Sequence, residues 1–467
     1  AASVALVGVN HWLPDLPQRV PDGGLWLRAV LALPFLVGGL ALSWWAAGRW
    51  RDRSEAARAL PAPPRLTHSA ALLLALAVFP GVFLTTWRLD HWPRPGPDEL
   101  HHLTVVHNIA AHGAYASRPI NLLRVPEAMR SAPVLWFDSY DSVGPTVLLT
   151  LAGLQGILGA GPLLPSRWGV AAFYLALAAL TAWLVARLYG WPTAALATLL
   201  LVGAMGTIYL GRTLYGEVPA WAFLTAGLGV WRMSYAGRIW LVPLAGLLLG
   251  LAVLTKTFLI LLAFPFAAAW WVDQCTHRRV PFFTLPLLGF GVLLPLAVWA
   301  VVPAFWGPGA DGGLGETIAL YYHFLLFGVE ALPQTLAHVA THPGAHTVMA
   351  VAMLGGGALL MQRWRDPALI ALWLGGAFLV FWWLFFTPGQ LPRYLWYSYA
   401  VNAVMLALVV ACLLRLAWRM PQATQRAALA TAAVLLLLPG AWWVVDQGRL
   451  VLTSDEAQRF FELTRPQ

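Results

Sequence analysis

Apolar residues in this chain come in long blocks separated by short polar or arginine-bearing connections. Runs close to the roughly 20 residues needed to span a bilayer occupy 25–47, 69–89, 168–186, 192–210, 216–233, 240–256, 257–273, 282–305, 346–362, 368–386, 393–414 and 427–446. A further stretch, 144–160, is short and glycine-rich. The pattern shows no repeat of 20–50 residues and no inverted two-half symmetry. The first run starts late and lacks a basic leader, unlike a cleaved signal.

Arginine placement orients the blocks. The connection 48–68 carries Arg49, Arg51, Arg53, Arg58 and Arg65 and is placed in the cytoplasm. Segment 69–89 then runs outward, and 90–143 forms a long extracytoplasmic loop. If 144–160 only dips into or lies on the membrane, Arg187, Arg232, Arg238, Arg278, Arg279, Arg363, Arg365, Arg415, Arg419 and Arg426 all fall inside. A full crossing puts them all outside. The first option is adopted, giving twelve crossings with both termini outside. The connection 211–217, the turn at Lys256, loop 306–345 and the turn 387–393 then share the face of the long loop.

The stretch 240–273 has 34 residues, about 51 Å as one helix against a hydrocarbon core of about 30 Å. It is too long for one crossing and short for two. A tight hairpin turning at Lys256 is expected, with its irregular backbone against protein or a wet cavity.

Composition sharpens this picture. Of 467 residues, 60% are hydrophobic and 10% charged, and the mean hydropathy is +0.69. Those values exclude a soluble globular enzyme and a disordered chain. The 26 Trp and 34 Pro suit interfacial aromatics and capped or broken membrane helices. The formal charge is +9, but of 29 basic residues 28 are Arg and one, Lys256, is Lys. The arginines are scattered between apolar spans as topology determinants, which argues against nucleic-acid binding. Cys275 and Cys412 offer neither a disulfide framework nor a metal spacing.

Four groups carry candidate chemistry. Asp98 and Glu99, in Pro97-Asp98-Glu99-Leu100-His101-His102, suit a general base or a divalent cation; the plainer reading makes Asp98 the N-cap of a helix starting near Glu99. Glu217 opens a span after Gly211-Arg212-Thr213-Leu214-Tyr215-Gly216, where the helix dipole favours it and Arg212 offers a partner. Lys256 costs about 2.5–3.5 kcal/mol at a bilayer centre, so it either snorkels or presents its ammonium to a phosphate. Arg393 and Tyr394 open a late span, with Tyr397 and Tyr399 behind them as belt or site residues. Loop 306–345 adds Tyr321, Tyr322 and His323 and a candidate lid.

Histidines crowd the outer side: His91, His101, His102, His107 and His112, then His323, His338, His342 and His346. Their spacing matches no standard ligand set. No phosphate loop, dinucleotide fingerprint or nucleophile elbow appears in supporting context, so no nucleotide cofactor is expected.

The ordered set (an acidic pair early in the first outer loop, Arg-x-x-x-Gly-Glu at 212–217, Gly-Leu-Ala-x-Leu-Thr-Lys at 250–256 and Pro-Arg-Tyr at 392–394) resembles the GT-C membrane glycosyltransferases. Within them it is most similar to the family of lipid A aminoarabinose transferase and the protein O-mannosyltransferases. The likeness covers roughly 69–330, and 387–400 by one short motif.

The resemblance implies an all-α polytopic fold with about twelve transmembrane helices. It implies inverting transfer of a sugar from a polyprenyl-phosphate donor to a lipid, glycan or protein acceptor, on the outer face of a bacterial-type inner membrane. Asp98 matches the general base, Glu99 its neighbour, and Glu217 a second acid supporting the site or, with Asp98, a divalent metal. Lys256 and Arg393 match donor-phosphate ligands, with Arg212 secondary; Tyr321, Tyr322, His323, Tyr394 and His102 are lining candidates. The implied division is 1–68 as an extra span and basic loop, 69–305 as the catalytic module, 306–345 as a lid, 346–446 as a C-terminal bundle and 447–467 as a short tail.

The extra span at 25–47, the short tail and the histidine-rich first loop depart from the family pattern, so lipid A is not carried over as acceptor. A transporter or lipid-linked sugar flippase is the alternative, but it predicts midplane charges and repeat symmetry. An O-antigen ligase or polymerase predicts key residues in a large late loop, whereas 306–345 holds only Asp311, Glu316 and Glu330 as acids and no Arg or Lys.

Overall fold

The computed structural model describes residues 65–112, 144–158, 163–204, 206–234, 238–276, 283–301, 343–360, 367–386 and 396–455. Within them every regular element is helical. In chain order they are α1 (His68–Thr86), α2 (Pro97–His112), α3 (Pro145–Leu158), α4 (Leu163–Tyr189), α5 (Trp191–Val202), α6 (Thr207–Leu210), α7 (Glu217–Ser234) and α8 (Leu241–Thr255). A 3-10 turn (Thr257–Leu262) leads into α9 (Ala263–Thr276), followed by α10 (Thr284–Val301), α11 (Pro343–Leu359), α12 (Pro367–Phe386), α13 (Trp396–Arg419) and α14 (Ala423–Thr453).

Local chemistry sets several starts. Thr67 accepts from the Ala70 amide at 3.3 Å to cap α1. Proline opens α2, α3, α11 and α12, where its missing N–H costs nothing. Asp98 is therefore in the first turn of α2 rather than its N-cap, a correction to the expected boundary.

Among the described residues, each predicted run after residue 64 contains helix. Among the described residues α1, α4, α13 and α14 are each long and apolar enough to cross a membrane by length and composition. The run 25–47 lies outside the described residues, as do 113–143 and 302–342, which include most of the two long loops.

Two spans differ from expectation. The run 192–210 is broken: α5 ends at Val202, and Gly206 takes φ +77 before α6, a left-handed conformation that favours glycine. At Gly203 an added Cβ would lie 2.9 Å from the Gly440 carbonyl, so bare backbones touch where α14 carries Pro439. The stretch 240–273 does break at Lys256, but not into a tight hairpin. Its first arm, α8, packs on α7 and α10, whereas α9 packs on α12. The α8–α10 seam is backbone to backbone: a Cβ at Gly246 would sit 2.2 Å from the Leu288 carbonyl, and one at Gly291 2.3 Å from that of Pro243.

α4 lies centrally against α1, α3, α5 and α7, while α13 bridges α5, α11, α12 and α14. Leu72, Leu76, Phe79, Leu438, Trp442 and Val445 leave α1 and α14 apolar on their outer faces, as lipid contact requires. The C-terminal end of α14 is latched: Arg88 donates to the Leu452 carbonyl and pairs with Asp455, which His91 meets at 2.8 Å. The His91 hydrogen bond, with the Arg88 charge, holds the Asp455 carboxyl below the usual carboxylate range.

Candidate active site

Two buried arginines build the platform. Arg212, on the α6–α7 connection, donates from Nε to the Trp92 carbonyl at 2.9 Å and from Nη1 to those of Leu84 and Trp87 at 2.7 and 2.8 Å. Its Nη2 reaches the Arg88 carbonyl at 2.7 Å. One guanidinium thus satisfies carbonyls that the end of α1 leaves over. Burial, reinforced by Arg167, pulls Arg212 down to about 9, so it stays charged at neutral pH.

Arg167, in the second turn of α4, grips Glu99 through Nε–Oε1 and Nη2–Oε2, both at 3.0 Å, with both side chains 0% exposed. It also donates to the carbonyls of Leu89 and Pro93, each at 2.7 Å. The first turn of α2 is thereby fixed to α4.

A second lock joins α2 to the chain leading into α7. The Leu214 amide donates to Glu99 Oε1 at 3.3 Å, and His102 Nδ1 donates to the Leu214 carbonyl at 2.6 Å. Gly96 is obligatory beside it, since a Cβ there would fall 2.5 Å from the Tyr215 hydroxyl. Burial pushes the Tyr215 phenol up; the Tyr209 hydrogen bond and the Glu99 and Asp98 carboxylates act in the same direction. With Glu99 turned inward, Asp98 lies on the neighbouring face of the helix and is partly exposed.

Three residues beyond Leu214, Glu217 begins α7 and meets Lys256: Nζ lies 3.2 Å from Oε1, with the side chains 3% and 0% exposed. Lys256 stands in extended backbone (φ −141, ψ 102) between α8 and the 3-10 turn. The Gly144 amide donates to the Thr255 carbonyl at 3.0 Å, which ties the start of α3 to this break. Beneath the pair, Tyr397 packs edge-on to Phe258 at 5.0 Å and to Trp221 at 5.5 Å. Trp396 donates from Nε1 to the Thr207 hydroxyl at 2.8 Å. The first turn of α13 therefore abuts the elements that carry Glu217 and Lys256.

The sequence-derived candidates separate into three sets. Glu217 and Lys256 come together as an ion pair. Glu99, Arg212 and His102 are committed to structural partners: Arg212 holds carbonyls where a phosphate was expected, Glu99 holds Arg167 rather than standing free beside Asp98, and His102 holds Leu214 rather than a cavity. Arg393, Tyr394, Tyr321, Tyr322 and His323 lie outside the described residues. Arg167 was missed altogether, although an arginine inside an apolar run signals a buried partner.

The donor set for a divalent ion was Asp98 with Glu217. Among the described residues no three His, Cys, Asp or Glu side chains cluster, and Glu217 already faces the Lys256 ammonium. These residues do not fit a divalent ion by themselves, and no chemical step is assigned to one.

This all-helical arrangement is similar in fold to solved structures of an ArnT and of an archaeal oligosaccharyltransferase. Among solved structures the chain is similar to ArnT from Cupriavidus metallidurans bound to undecaprenyl phosphate, at 16% identity and TM-score 0.52, over 86% of this chain and 77% of that one. It is also similar to the Archaeoglobus fulgidus oligosaccharyltransferase complexed with Zn and sulfate, at 17% identity and TM-score 0.51, over 80% of this chain and 52% of that one. AglB from the same archaeon, complexed with an inhibitory peptide and a dolichol-phosphate, matches at 13% identity and TM-score 0.50, over 85% of this chain and 60% of that one. At these identities the likeness is one of fold, and the chain spans only 52–60% of these two oligosaccharyltransferase chains. No family model and no curated protein sequence matches it.

Proposed function

We propose that the protein is a membrane glycosyltransferase that moves a sugar from a polyprenyl-phosphate donor to a cell-envelope acceptor at the extracytoplasmic face. The observation that carries this reading is the meeting of Glu217 and Lys256 at a helix break, on a chain segment that the α2 turn bearing Asp98 holds through the Glu99–Leu214 hydrogen bond, within a GT-C-like fold. Two structural neighbours are bound to lipid phosphates, undecaprenyl phosphate in ArnT and a dolichol-phosphate in AglB.

In the proposed reaction Asp98 takes the proton from an acceptor hydroxyl as that oxygen attacks the anomeric carbon. The bond from that carbon to the phosphate oxygen breaks with inversion, and the lipid phosphate leaves with the bonding pair. Charge grows on its oxygens, where Lys256 and Arg393 supply fixed cations in a site of low dielectric. Tyr321, Tyr322, His323 and Tyr394 line the sugar. Glu99, Arg167, Arg212 and His102 position the turn that carries Asp98.

The reading is tested in nanodiscs loaded with lipid-linked sugars from envelope extracts and supplied with an acceptor fraction. Wild-type protein should release polyprenyl phosphate, and Lys256→Ala should release it at least tenfold more slowly. Equal release by the two would contradict it.

A further inference from the structure

Two buried arginines, Arg167 and Arg212, brace the segment from the end of α1 to the start of α2, and neither is free to serve an incoming anion. Moving Arg212 strands the carbonyls of Leu84, Trp87, Arg88 and Trp92, and moving Arg167 strands Glu99. Each orphaned buried group pays its full desolvation penalty. Among the described residues Lys256, unlike these two, holds no backbone carbonyl in place with its side chain; its ammonium faces Glu217 at 3.2 Å. Neither carboxylate oxygen of Glu217 makes a hydrogen bond to another described group.

The two partners differ in mobility. Lys256 carries its charge on a flexible four-carbon stem from extended backbone at a helix break. Glu217 is the first residue of α7, where the positive end of the helix supports a carboxylate whose partner has left. An anion entering beside this pair brings a second negative charge to one ammonium in a site of low dielectric, and two such neighbours repel.

We infer that Glu217 is the resident counter-ion of Lys256 and that the donor's phosphate displaces it, so Lys256 changes partners when the donor binds. This rests on the donor reading above. Without donor, Glu217 keeps a buried ammonium compensated, since a buried charge stripped of its partner is strongly destabilising. With donor, Lys256 turns to the phosphate and Glu217 remains on the α7 dipole. Glu217 thereby competes with the substrate, opposing donor binding where a ligand or catalytic group would favour it.

The competition fixes the sign of one measurement. The probe is farnesyl methyl phosphodiester, whose single charge does not change near neutral pH. Its Kd is measured by thermophoresis on the detergent-solubilised full chain. Glu217→Gln should tighten binding about tenfold, within the roughly 5–150-fold usual for coupled sites. Lys256→Met should abolish binding in both backgrounds. Glu217→Asp, which keeps the charge but draws it back from Nζ, should tighten binding by a smaller factor and serves if the glutamine variant does not fold. Equal or weaker binding by Glu217→Gln, with wild-type protein binding the probe and Lys256→Met not, overturns the exchange and leaves the donor reading standing. No binding by folded wild-type protein overturns both.

Discussion

Arg167 and Glu99 meet side-on through two parallel hydrogen bonds of 3.0 Å, with both side chains fully buried. This pair, from the start of α4 and the start of α2, determines which way the acidic dipeptide faces. Glu99 points into the protein and holds the Leu214 amide, so Asp98 is left at the rim.

Breaking the pair should be worse than removing it. Arg167→Met leaves a carboxylate buried without its cation, a loss of about 3–5 kcal/mol. The double variant Arg167→Met with Glu99→Leu removes both charges and should regain much of that loss. Arg167→Lys keeps the charge but not the planar fork and should resemble the methionine variant. Thermal midpoints in detergent, read by fluorescence size-exclusion chromatography, check the order; a double variant less stable than either single one would contradict it.

The α8–α10 seam predicts opposite outcomes for two alanine substitutions. Gly246→Ala drives a methyl to 2.2 Å from the Leu288 carbonyl, and overpacking of this kind costs about 1–3 kcal/mol. Gly289→Ala, within α10 itself but with nothing within 4 Å of its Cβ, should stabilise by about 0.4–1 kcal/mol. The same melting assay separates them by sign.

The α14 latch sets which helix ends share a face of the bundle. Arg88 and His91 hold Asp455, so the end of α14 shares a face with the segment before α2. Gln422 lies at the other end of a 31-residue helix, about 46 Å away. In a background lacking Cys275 and Cys412, an impermeant maleimide should label Arg94→Cys in intact cells. Gln422→Cys should react only after permeabilisation. Labelling of both in intact cells would mean that 144–160 crosses, and the reverse pattern would place the site in the cytoplasm.

Much of the fold was legible because bilayer spans demand length and apolarity, and both are written in the chain. The break at Lys256 was legible from length alone. The separation of α8 from α9 was not, because the partners of each arm, Gly291 for one and the α12 face for the other, are distant in sequence. In the site, Glu217 and Lys256 were legible as charges in apolar surroundings that need compensation. The partners of Glu99, Arg212 and His102 were not legible because they are carbonyls and one distant arginine, and a carbonyl leaves no mark in a sequence. Arg167 left a signal in Leu163-Leu164-Pro165-Ser166-Arg167-Trp168 that was not used.

The central claim is that Asp98 acts as the base in sugar transfer from a lipid-linked donor. Mass spectrometry of envelope glycans and lipid-linked sugars, in cells whose only copy carries Asp98→Asn, addresses it most directly. With the variant present at wild-type level, the donor lipid should accumulate and one envelope glycan should lack a sugar. Loss of a base contributes about 10²–10⁴ in rate, enough to make both changes plain. Normal glycans with no accumulated donor would contradict the account.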